Sequence, residues 1–377
     1  VKDDVRKRLK AADELDSHTY ICDLVYVEFP VLSLYSDSRN NWLYLWHDTN
    51  KSGVDQWLLF KASRDDLSDY LRKKKSLRSI IDSATRLLLL EMRAGEFEQK
   101  SHARAPARPR RNLWQVNSDE FAAALPAKDS YFDSSLTEDL DLSKDVLPRD
   151  YAVPIDGTWF ERDFEFLFKR YRRLYSFFYA TRPQFVRTVA HKLFQALRAP
   201  WRGGYSRLNL YTRLSEDIPA QHTLRVAELE FASPGHVSFE ALPGIGESIA
   251  KSLLLYLENE EAISHASNTI ARELKRTGLA TRDVSELSDE QLGVYAATFA
   301  ELHQCCNTIA TALHVSNEVH TLRQASPNTA TYSKAVNSFV RQVSMLASLQ
   351  RQEMLDLTRV SRPHSKRKKK TRAKRTI

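Results

Sequence analysis

Between Asp23 and Lys61 the chain strings together four apolar runs of strand length: Asp23–Phe29, Val31–Ser36, Trp42–Asp48 and Asp55–Lys61. Pro30, the stretch DSRNN (37–41) and the stretch TNKSG (49–53) separate them, each with turn chemistry. In the third run Trp42, Tyr44 and Trp46 alternate with Leu43, Leu45 and His47, so side chains are available to cover both faces of a sheet. Ser63 then caps a helix whose first turn holds Asp65 and Asp66, where the helix dipole favours acids. The helix runs through Asp69-Tyr70-Leu71 into the basic stretch 72–75. A second short helix over Ser76–Ala84 and a strand over Arg86–Met92 complete the first domain, residues 17–92. Residues 1–16 read as a short charged helix.

Composition changes after residue 92. The stretch HARAPARPRRN (102–112) is extended in character and basic, and DSYFDSSLTEDLDLSKD (129–145) is acidic, so 93–155 reads as a flexible linker. A second domain is expected over 156–357. Thr158–Thr181 reads as a helix carrying ten aromatics, with Arg162, Lys169, Arg170, Arg172 and Arg173 among them. Such a helix serves either as a stacking platform for bases or as a packed element with its basic stems reaching outward. Another helix is expected over Pro183–Leu197, and then two strands, Arg207–Arg213 and Thr223–Phe231. From Ile245 onward the pattern is helical: Ile245–Leu257, Glu260–Lys275, Asp289–Leu313 and Tyr332–Leu357, with breaks at Gly278 and Ser326-Pro327-Asn328. The expected fold class is α+β: a small antiparallel sheet domain with helices, then a mainly helical domain with a two-stranded insert. Only 10 Gly in 377 residues argue against a loop-rich all-β chain.

Charge is distributed unevenly. Ten of the 56 Lys and Arg lie in the last nineteen residues, which hold no acid; the remaining 46 face 48 Asp and Glu. A net charge of +8 thus becomes a body of about −2, and residues 358–377 form a basic tail expected to be disordered. Lys366, Arg367, Lys368, Lys369, Lys370, Arg372, Lys374 and Arg375 are its candidate nucleic-acid contacts, since such a run attracts polyanions with little regard for sequence. Cys22, Cys305 and Cys306 are no disulfide framework, no apolar run is long enough for a membrane span, and the first residues lack a signal peptide's apolar core. A cytoplasmic protein with no membrane partner is expected.

ALPGIGESIAKSLLLYL (241–257) is a second nucleic-acid candidate. It is similar to a helix-hairpin-helix element, in which Gly244 and Gly246 would let backbone N–H groups grip a phosphate. The spacing of His303, Cys305, Cys306 and His314 supplies no second ligand pair, so no metal is expected. Glu273 and Lys275 have a nuclease-like spacing but lie on a helix. Arg359 and His364 have a ribonuclease-like spacing but lie in the tail. No cofactor-binding motif occurs, and catalysis is not expected.

Two groups of residues carry a resemblance. Phe29-Pro30-Val31-Leu32-Ser33, the Trp42–Asp48 run, Asp55-Gln56-Trp57-Leu58-Leu59 and the helices over Ser63–Leu77 resemble an uncharacterised bacterial N-terminal domain family. Trp201-Arg202-Gly203-Gly204-Tyr205-Ser206, Asn209-Leu210-Tyr211 and Ala232-Ser233-Pro234-Gly235 resemble its companion module. The resemblance implies a two-domain bacterial cytosolic protein, and it transfers no activity. It treats the Ser-Pro-Gly turn as a strand end and the Leu-Pro-Gly-Ile-Gly stretch as the lead-in to a packed helix. Gly203, Gly204, Tyr205, Ser206, Ser233 and His236 form a candidate pocket, with the Pro234-Gly235 turn aiming Ser233 and His236 into a crevice at the strand end. The leading expectation is a regulatory or interaction protein that contacts nucleic acid or another polyanion through its tail. A DNA-binding protein using Gly244 and Gly246 is the first alternative, and a hydrolase or nuclease near Ser233 is the second. A protein partner is left open.

Overall fold

A computed structural model of the chain describes residues 7–9, 15–26, 30–37, 39–50, 53–72, 74–93, 112–117, 125–126, 148–182, 187–198, 208–216, 218, 220–242, 244–285 and 287–356. The chain divides into two compact units: residues 1–147 with 216–223, and residues 148–215 with 224–377. The fold class is α+β.

The first unit is built on a seven-stranded antiparallel sheet. Its strands are β1 (Lys7–Leu9), β2 (Thr19–Tyr26), β3 (Pro30–Ser36), β4 (Asn41–Thr49), β5 (Val54–Ala62), β6 (Leu87–Arg93) and β7 (Asn112–Val116), in the order β1-β7-β6-β5-β4-β3-β2. The four runs seen in the sequence are β2 to β5. Alternation along β4 sorts its side chains to two cores. Leu43 and Leu45 stand opposite Phe60 and Leu58 and join a cluster with Leu67, Tyr70, Leu77 and Ile80 from helices α1 (Arg64–Leu71) and α2 (Leu77–Ser83). Trp42 and Tyr44 join Trp57, Leu59, Leu88, Leu90 and Leu113 on the other face. Ser63 caps α1 through a reciprocal capping box with Asp66.

Two sequence expectations change here. Lys7–Leu9, read as part of a charged helix, is a strand paired with β7, and Leu15 is buried. Asn112–Val116, assigned to the linker 93–155, pairs with β6, placing Leu113 opposite Leu90 and burying it completely. Five residues with few buried apolar side chains are too few to register as a period, but a free sheet edge makes them a strand. The Asp129–Asp145 stretch and residues 102–111 lie outside the described residues.

Strand β8 (Arg149–Ile155), also within the expected linker, opens the second unit. Its sheet has the order β8-β10-β9, with β9 (Arg225–Glu230) and β10 (Gly235–Ala241) forming a hairpin. The expected pairing of 207–213 with 223–231 is therefore corrected. Residues Leu208–Glu216 are helix α5, where Leu210, Tyr211 and Leu214 fall on one buried face, and β9 pairs with β10 instead. The two-stranded insert becomes three strands because β8 supplies the partner that local patterning cannot reveal.

The aromatic helix α3 (Glu161–Thr181) is buried throughout from Leu174 onward, and Leu167 and Tyr171 are buried before it. Tyr171 stacks on Phe239 of β10 at 4.1 Å, and Phe177 stacks on Phe339 at 4.1 Å. Helices α4 (Arg187–Arg198), α6 (Ile245–Glu258), α7 (Glu260–Arg276), α8 (Ala296–Ala312), α9 (Ser316–Ala325) and α10 (Thr329–Arg351) complete the unit. Among the described residues no helix is long and apolar enough to cross a membrane.

Candidate functional site

The tail contacts Lys366, Arg367, Lys368, Lys369, Lys370, Arg372, Lys374 and Arg375 lie outside the described residues, as do Gly203, Gly204, Tyr205 and Ser206. The remaining candidates fall at two places in the second unit.

Gly244 and Gly246 open α6. A helix-hairpin-helix element needs a helix before this turn, and the chain supplies strand β10. Gly244 adopts φ 78°, and its carbonyl accepts a hydrogen bond from Arg182 at 3.0 Å. The same guanidinium donates to Ser248 and to Glu318, the latter at 3.3 Å. Gly246 is buried under Tyr151: a Cβ here would lie 2.9 Å from a ring carbon. Burial and the nearby Glu247 raise the Tyr151 phenol above its ordinary range, opposed by a hydrogen bond with the Gly244 backbone. Gly246 thus packs against Tyr151, and the Gly244 carbonyl is engaged by Arg182.

Ser233 and His236 flank the turn of the β9–β10 hairpin. Ser233 is exposed, and its hydroxyl donates to Asp156 Oδ1, which helps hold that carboxyl below the usual range. His236 lies on β10 with Nδ1 3.1 Å from Glu230 and Nε2 3.7 Å from Glu228. The serine and the histidine are held by different carboxylates rather than by each other. A serine–histidine hydrolase arrangement needs the imidazole on the serine hydroxyl, and here that hydroxyl is held by Asp156 instead.

His303, Cys305, Cys306 and His314 do not converge. His303 contacts Arg323 at 2.9 Å, whereas Cys306 points inward to Ser333 at 3.7 Å. Glu273 is bound to Arg276 at 2.6 Å, an internal pairing along α7.

The strongest unassigned constellation is basic. Arg170 and Arg173 sit at i, i+3 on α3, and both guanidinium groups donate to one acceptor, the Oε1 of Gln342 on α10, at 2.9 and 3.3 Å. Gln342 is fully buried. Arg341 acts electrostatically on Arg170. The Arg170 guanidinium lies 5.0 Å from the centre of the Phe166 ring, and that of Arg173 lies 5.6 Å from the centre of the Tyr211 ring of α5. Burial and the charges of Arg173 and Arg341 push Arg170 below its ordinary range, and burial does the same to Arg173. Among the described residues no carboxylate pairs with any of the three. Arginine keeps its proton under such conditions, so two positive charges share one neutral amide oxygen and the Arg341 charge acts on one of them. Such a group favours an anion that spreads charge over several oxygens, as phosphate does. The i, i+3 spacing of Arg170 and Arg173 is visible in the sequence. Arg341, far along the chain, has no signal that would join it to them.

Comparison with family models, with curated proteins and with solved structures finds no match, so the arrangement of residues is what bears on function.

Proposed function

We propose that this is a non-enzymatic interaction protein that contacts nucleic acid or another polyanion. The ten charges of the basic tail supply attraction, and Arg170, Arg173 and Arg341 supply a phosphate contact held in place by the fold. The observation that carries this reading is the convergence of Arg170 and Arg173 on Gln342 beside Arg341, half-desolvated and without an acid partner among the described residues. Structural arginines in an interior are ordinarily paired, because an unpaired buried charge is costly. Here the pairing partner is expected to come from outside.

Fluorescence anisotropy with labelled duplex DNA and RNA over a salt series tests it. For the full chain, log K should fall linearly with log salt at a slope of about −0.9 per phosphate contacted on duplex DNA. Truncation after Leu357 should remove most of the affinity. The triple change Arg170→Gln, Arg173→Gln, Arg341→Gln in the full chain should make the slope shallower by about 2–3. Unchanged affinity and slope in both variants would overturn the reading.

A further inference from the structure

Strand β9 is the outer strand of its sheet, and all six of its residues are exposed. It nevertheless carries apolar side chains: Val226 is 47% exposed, Leu229 46%, and Phe231 just beyond it 62%. The register shows which way they point. Leu229 stands opposite Val237 and Val226 opposite Phe239, both fully buried, with Ala227 as the extra residue of a bulge. Residues three apart on a regular strand face opposite sides; the bulge gives Val226 and Leu229 the same side. That side is the one Val237 and Phe239 turn to the core. Helix α3 covers Phe239, with Tyr171 stacked upon it, and meets Phe231 through Phe164, at 5.9 Å between ring centres, which leaves Phe231 62% exposed. A strip of Val226, Leu229 and Phe231 therefore continues the core face of the sheet beyond its covering helix. The opposite side of the strand carries Arg225, Glu228 and Glu230.

The segment Leu224–Phe231, LRVAELEF, matches itself when reversed. Set antiparallel to a second copy, Leu224 falls opposite Phe231, Arg225 opposite Glu230, Val226 opposite Leu229 and Ala227 opposite Glu228. Each pairing occurs twice about a two-fold axis, as a closed isologous contact requires. Apolar residues meet on one face and opposite charges on the other. The bulge makes this register workable, since opposed residues in an antiparallel ladder must share a face and a hydrogen-bonding phase.

We infer that the outer edge of β9 is a docking surface for a second copy of this chain, the two strands pairing antiparallel to give one sheet in the order β8-β10-β9-β9-β10-β8. Bulges and charged residues also protect lone edges from pairing, but protection alone does not call for apolar residues that match about a two-fold axis. One short strand per partner is less than the roughly 800 Å² a side of a standard stable interface, so the dimer should be reversible and concentration-dependent.

Analytical ultracentrifugation of the full chain, freed of nucleic acid, over the micromolar range tests the inference. A monomer–dimer equilibrium is expected. Arg225→Glu and Glu230→Arg should each weaken it by about tenfold or more, because like charges then oppose across the ladder. The double variant should recover most of the loss, since opposite charges face each other again. Leu229→Lys, at an exposed position where the fold tolerates charge, should abolish pairing while leaving the thermal melt unchanged. A monomer at every concentration, or a double variant no better than the singles, would overturn the inference and make the bulge and charges edge protection.

Discussion

A Cβ at residue 246 would lie 2.9 Å from the Tyr151 ring, closer than carbon atoms tolerate, and Tyr151 is itself largely buried. Gly246 is thus a packing requirement between the start of α6 and strand β8. Gly244 is a conformational one, because its φ of 78° disfavours any side chain. The expected outcome of Gly246→Val is a loss of about 1–3 kcal/mol, the usual scale of overpacking, read by thermal or urea unfolding. Combining it with Tyr151→Leu should reduce the penalty, while DNA affinity per folded molecule stays unchanged. Reduced DNA affinity in a fully folded Gly246 variant would instead return these glycines to the phosphate site. The sequence showed the glycines and their spacing; it could not show that a tyrosine nearly a hundred positions earlier lies against one of them.

Helix α10 runs through the second unit with every residue from Ala330 to Val340 buried, among them Ser333, Lys334, Asn337 and Ser338. A polar helix buried all round has no amphipathic period, although Asn328 marks its start by accepting from the Thr331 N–H. The Lys334 ammonium donates to the Arg282 carbonyl at 3.1 Å, and burial pushes it down to about 8, with Asp283 opposing. Its unfolded value is the ordinary one near 10.5. Between these two values the unfolded chain binds the extra proton, so this residue's contribution to stability rises with pH across that window. It is fully present above the unfolded value and lost as pH falls through about 8. The difference in unfolding free energy between wild type and Lys334→Met should therefore move in favour of wild type as pH is raised through that window. A difference that does not change with pH would show that the ammonium is not desolvated in the fold.

Residues 216–223 belong to the first unit although the chain on either side of them belongs to the second. Gln221 accepts from the Asn41 amide at 2.9 Å, the Ala220 N–H donates to Ser36 Oγ at 2.9 Å, and Arg64 donates to the Thr223 carbonyl at 2.9 Å. His222 is buried beside Arg64; burial and that charge push it down to about 3 from 6.5. As pH falls from 6.5 toward 3 the unfolded chain takes up a proton that the folded one refuses, so stability drops through this window. His222→Gln should flatten that drop, measured by tryptophan fluorescence, since Trp42, Trp46, Trp57 and Trp114 all lie in this unit. An unaltered acid transition in the variant would place the sensitivity elsewhere.

Strands β2 to β5, the Ser63 cap with its first-turn acids, and helices α6, α7 and α8 were legible in the sequence. Each depends on neighbours within a few residues: alternation, a capping hydroxyl, a 3.6-residue period. The strand Asn112–Val116, the helix Leu208–Glu216, the return of Gln221 to Asn41 and the action of Arg341 on Arg170 were decided by tertiary structure. In each of these the deciding partner lies far along the chain, at an open sheet edge, a buried amide or a facing helix. Local patterning shows which side chains seek burial or charge; only the packed fold decides what they meet.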